Sequence, residues 1–163
     1  MTAGAEREAL LVALREQREH VVSAVSGLPD EALRRPVLPS GWTCLGLIQH
    51  LALDVERFWF RAVVAGDAVD LCAADQAWRV DAGTSAEAVI QGYLEEAREA
   101  DSVIARTDLE ALPASWPSEV FADLPVRDLR RIVLAVIVET ACHAGHLDAA
   151  RELLDGHQNL VLT

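Results

Sequence analysis

The stretch RIVLAVIVETACHAGHLDAARELL, residues 131–154, opens with seven apolar residues, Ile132 to Val138, before it reaches Glu139. His143 follows one helical turn later, on the same face of a helix. The pattern predicts the last long helix of the chain, beginning near residue 126 and ending around residue 155, just before Gly156.

Upstream of it, the proline-punctuated LEALPASWPSEVFADLP, residues 109–125, reads as a connector. Helical spacing returns over residues 85–106 through Ala88, Val89, Tyr93, Leu94, Ala97 and Ile104. Residues 67–84 show no sustained period. Before them, residues 43–65 form a helix apolar around most of its circumference, capped by Thr43 or Ser40 and ended by Gly66. A first amphipathic helix covers residues 6–26, with Leu10, Leu11, Leu14, Val21, Val22 and Val25 at steps of three and four where they cluster. Gly27 closes it, and a linker with three prolines follows, with room for one short turn at residues 30–34. No strand-like alternation, internal repeat or second boundary appears. Residues 1–163 are therefore expected to form one all-α domain, a four-helix bundle. A domain of this length buries roughly 70% of its unfolded surface and needs no staples.

The 26 acidic residues outnumber the 14 basic ones, for a formal charge of −12. Such a charge repels a phosphate backbone, so neither nucleic acid nor an anionic membrane is expected as a partner. The start, MTAGAERE, lacks the basic and then apolar order of a signal peptide, and the apolar run 132–138 is too short to span a bilayer. The expected location is the cytoplasm. Cys44, Cys72 and Cys142, odd in number and widely spaced, fit small buried side chains better than disulfides or a zinc knuckle.

An ionised carboxylate set in an apolar core has to be protonated, paired or bound to a metal. Glu139 and His143 stand close enough, roughly 6 Å apart at the backbone, to converge on one ion. The same spacing also permits a simple Glu–His hydrogen bond. His50 is a candidate third ligand, because it interrupts the apolar centre of its helix between Ile48 and Leu51. Its alternative is a satisfied core histidine. Asp54, one turn after His50, could hold the free ring N–H of that histidine or lie in solvent. His146 could be a fourth ligand, a general base or a donor to the ligands. His20 and His157 read as exposed and without a role. Trp42, Trp59, Trp78 and Trp116 read as core or pocket-wall residues, with loops 67–84 and 107–125 supplying the walls. The sequence carries no phosphate-binding glycine loop, no GxSxG and no HExxH.

PSGWTCLGLIQHLALDVERFWF, residues 39–60, together with ETACHAGHLDAARELLDG, residues 139–156, resembles the DinB/YfiT-like superfamily, and in particular its actinobacterial branch. The resemblance spans nearly the whole chain. It implies a four-helix bundle, often homodimeric, with a divalent metal held by a histidine of the second long helix and a pair four residues apart on the last. His50, Glu139 and His143 occupy those positions. Glutamate as the first member of the pair is similar to the mycothiol-dependent maleylpyruvate isomerases. Where many relatives read HRGQ, this chain reads His143-Ala144-Gly145-His146, so substrate contacts do not carry across.

The resulting expectation is a metal-dependent enzyme acting on a small-molecule substrate through an activated water or a low-molecular-weight thiol such as mycothiol, as a transferase, isomerase or hydrolase. Zinc suits the ligands first, with nickel, iron or manganese as other candidates. Two readings stand beside it: a metal-stabilised protein without catalysis, and a metal-free bundle that binds a ligand or a second copy of itself.

Overall fold

The four long helices start on side chains that accept backbone N–H groups the first turn leaves unpaired. Thr2 accepts from Ala5, Thr43 from Gly46, Ser85 from Ala88 and Asp128 from Arg131. In the computed structural model, which describes residues 2–73, 75–122 and 124–159, these caps open α1 (Ala3–Val25), α3 (Cys44–His50), α4 (Ala86–Arg106) and α5 (Leu129–Asp155). A single helical turn, α2 (Asp30–Leu33), lies in the linker. The described residues contain no strand, and the fold is all-α.

The second long helix is not α-helical throughout. From Leu51 to Ala65 it continues α3 as a π-helix, in which N–H groups reach one residue further back. The buried side chains record the wider winding. They fall at Leu51 and Ala52, at Val55 and Glu56, at Phe60, and at Val63 and Val64. The pattern thus takes about four residues per turn where an α-helix takes 3.6. Gly66 then stops the helix at φ 71°, a left-handed conformation that side chains disfavour.

α4 packs along the π-helical segment and α1 along α5, while α3 touches both α4 and α5. Leu14, Val21, Leu45, Ile48, Leu51, Phe60, Tyr93, Ile104, Ile132, Val133 and Leu147 fill the space between them. One ion pair lies inside this core. The Arg18 guanidinium donates to both oxygens of Glu56, at 2.7 and 2.6 Å, and to Asp101 at 2.7 Å. Burial alone would drive the Arg18 pKa down, but the charges and hydrogen bonds of Glu56 and Asp101 hold it above its ordinary value.

The apolar run of α5 divides between two faces. Ile132, Val133 and Val136 are buried, whereas Leu134 and Val138 are 47% and 69% exposed. The exposed pair belongs to a stripe that continues through Ala141, Cys142, Gly145 and Ala149. At the far end of the bundle the 107–128 connector is pinned to the π-helix. Ala114 and Ser115 donate to the carbonyls of Val64 and Val63, and Phe121 stacks on Trp59.

Candidate metal centre

His50 stands where α3 passes into the π-helix. Its Nδ1 lies 2.9 Å from Asp54 Oδ2, and since the carboxylate can only accept, the proton sits on Nδ1. That hydrogen bond leaves Nε2 as the bare nitrogen, the form in which an imidazole binds a metal. Asp54 also accepts from the Cys72 thiol at 3.6 Å. Burial and then the charge of Asp54 push the Cys72 pKa up, so this thiol keeps its proton.

Across from His50, Glu139 Oε1 lies 3.1 Å from His143 Nε2. The two imidazole rings meet edge to face at 5.2 Å. One nitrogen or oxygen from each of His50, Glu139 and His143 falls within 4.8 Å of the other two. Tetrahedral zinc with bonds of about 2.1 Å spaces its ligand atoms by roughly 3.4 Å, so the three atoms would have to draw closer together to share one ion. Two imidazoles and one carboxylate suit such an ion and leave a position open for another molecule.

The environment of Glu139 differs from the sequence-based expectation. Its side chain is 51% exposed, because this part of α5 presents one face to solvent, whereas His50 and His143 are each 14% exposed. The carboxylate therefore lies on the solvent side of the two histidines. Burial lowers the pKa of His143 below its usual 6.5, against the opposing pull of Glu139, and the charges of His50 and His146 reinforce the drop.

His146 stands beside this trio, not within it. Its Nδ1 is 3.4 Å from His143 Nδ1, and its exposed ring lies 6.2 Å from Trp42. Trp78, from the 67–84 loop, stacks on His50 at 4.2 Å and stands edge-on to His143 at 6.0 Å. Trp59 and Trp116 pack together at the other end of the helix. His20 is only partly exposed, bonded to Asp148 at 2.8 Å and to Asn159, while His157 is exposed. The sequence reading passed over Gly46 and Gln49, which seat the Trp78 loop. Their signal was a glycine and an amide that, with His50, interrupt the otherwise apolar CLGLIQHLAL. A groove of about 440 Å³ between α1 and α4, lined by Arg15, Val22, Leu94 and Asp101, contains none of the clustered residues.

Compared with known protein families, residues 9–156 match the family described as Mycothiol-S-transferase, a DinB-like family. Comparisons with curated proteins and with solved structures return no match.

Proposed function

Because the chain belongs to the mycothiol-S-transferase family, we propose that it is a metal-dependent enzyme that transfers mycothiol, or a thiol of that class, to a small electrophile. The convergence of His50, Glu139 and His143 within 4.8 Å carries this reading, with Asp54 fixing the tautomer of His50. A bound divalent ion, zinc by preference, would lower the pKa of a thiol enough to hold it as thiolate near neutral pH.

The chain's own groups have separate tasks. His50 and His143 supply neutral imidazoles, and Glu139 offsets part of the ion's charge. His146, exposed beside His143, is the base that accepts the proton as the S–H bond breaks. The sulfur then forms a C–S bond with the electrophilic carbon, and the leaving group departs with the bonding electrons. Trp78 stacks on His50, and Trp42 lies near His146.

Elemental analysis of untagged protein tests the first step, with about one equivalent of metal expected. Mycothiol and a chromogenic haloarene then test the second, through metal-dependent loss of free thiol. Thiol loss that is the same with and without metal would refute the reading. The 3.1 Å hydrogen bond between Glu139 and His143 favours a second reading, a metal-free ligand-binding bundle. Wild-type protein that takes up no metal after reconstitution would point there.

The exposed stripe of α5 supports a homodimer. Arg131 precedes its apolar part and Glu152 follows it on one helical face, and Arg127, just before the helix, lines the same hollow as Arg131, Leu134 and Val138. Two copies packed antiparallel bring basic ends to acidic ends and set Val138 against the gap over Gly145, so the occupant that fits is a second copy of this chain. The reading also calls for a compartment that keeps thiols reduced, the cytoplasm, and the net charge of −12 disfavours nucleic acid or an anionic membrane as a partner.

A further inference from the structure

Gln49 precedes His50 on α3, and its side-chain amide faces the loop that carries Trp78. Nε2 lies 2.9 Å from the carbonyl oxygen of Ala77, 3.2 Å from that of Gln76 and 3.3 Å from that of Arg79. Two amide hydrogens are thus shared among three backbone acceptors. One turn earlier, Gly46 lets the same segment lie flat on the helix, because a Cβ there would collide with the Trp78 carbonyl oxygen. Ala77 is completely buried beneath it. With the backbone seated in this way, the Trp78 indole lies nearly parallel to the His50 ring, at 17°.

We propose that Gln49 is a positioning residue that acts through Trp78 on His50. An imidazole needs two restraints to aim a nitrogen. The hydrogen bond to Asp54 fixes its rotation within the ring plane, and a stacked neighbour fixes the plane itself. The torsion between Cβ and the ring is broad and supplies neither. Gln49 thereby keeps His50 Nε2 directed at Glu139 and His143, and keeps the indole as one wall of the site. The inference rests on the metal-centre reading, and its test separates the two.

The full-length protein is titrated with cobalt(II) and followed by visible absorption, with thermal melting as the control for folding. Gln49→Glu keeps the size of the side chain but presents acceptors to three carbonyls, whereas Gln49→Lys restores donors. Gln49→Glu should weaken cobalt binding by roughly tenfold or more, the range for residues that orient a metal ligand, and Gln49→Lys should recover most of it. Trp78→Ala should cost as much, and adding Gln49→Glu to it should cost nothing further. Equal affinity in wild type and Gln49→Glu, or additive losses in the double variant, would overturn the proposal. If wild type itself binds no cobalt, the metal reading falls and the contact is still tested in metal-free protein. The emission assigned to Trp78, from wild type minus Trp78→Phe, should then shift to the red in Gln49→Glu, and an unchanged emission would refute it.

Discussion

At the scale of single residues, Asp54 does as much as His50, Glu139 or His143 to define the site. By fixing the proton on His50 Nδ1 it leaves Nε2 as the free nitrogen, the atom an ion would take. His50→Ala and Glu139→Ala should each reduce metal content well below one equivalent, while His20→Ala, with its ring tied to Asp148 away from the centre, should leave it unchanged. Elemental analysis of the three variants beside wild type decides this, and equal occupancy in all would reject the ligand assignment. Acid gives a second check. Burial depresses the pKa of His143 below 6.5, so between that lower value and 6.5 the unfolded chain binds more protons than the folded one. Metal-free protein should therefore gain stability from this group as pH rises through that window and lose it on the way down. Metal binding should weaken over the same descent, because protons compete for the ligand nitrogen. Denaturant melts and metal titrations at pH values from about 5 to 7 measure both, given the ordinary histidine range.

At the scale of elements, the helices were legible because caps and stops are local chemistry. Thr43, Ser85, Gly66 and Gly156 all mark helix ends in the structure as their residue types predict. The π-helical winding was not legible, because no residue type in LALDVERFWFRAVVA marks it, and it shows only in which side chains, such as Phe60 and Val63, end up buried. The exposure of Glu139 was misread for a related reason. An apolar run on a helix does not say which of its faces another element will cover, and Leu134 and Val138 remain open. The pairing of His50 with Glu139 and His143 drew on their awkwardness in apolar helices, whereas the place of Trp78 required the loop's tertiary contacts. Gly66 offers a test at this scale. Alanine there would adopt φ 71° and bring its Cβ to 2.9 Å from that of Ala114. Gly66→Ala should lower stability by about 1–2 kcal/mol from the backbone alone, read from thermal or denaturant melts, with the contact to the 107–128 connector adding to the loss.

At the scale of the whole molecule, α1 and the π-helix are joined by a buried charge pair as well as by apolar packing. The side chains of Arg18 and Glu56 are only 6% and 1% exposed, so neither can turn to water if the other is lost. Glu56→Ala should cost about 3–5 kcal/mol, and replacing both partners with apolar residues of similar size should restore much of that. Denaturant unfolding of the single and double variants measures the difference. The α5 stripe makes a separate prediction. Val138→Arg puts a charge at the centre of an apolar face, and light scattering on a sizing column should find dimer in wild type and monomer in the variant. Monomeric wild-type protein would remove the dimer reading.

The wide winding of Leu51–Ala65 also bears on how this chain tolerates insertion and deletion. At about four residues per turn, the stretch holds a residue or more beyond what an α-helix needs for the same number of turns. Losing one residue there can be absorbed by tightening the coil, with α3 and the cap at Gly66 left in place. Descendants that differ in length at this point can thus keep the bundle, with His50 held on α3, while changing which residues between it and Gly66 face the core. In this segment, residue count is itself an inherited variable, able to reset how the helix packs without altering any residue of the site.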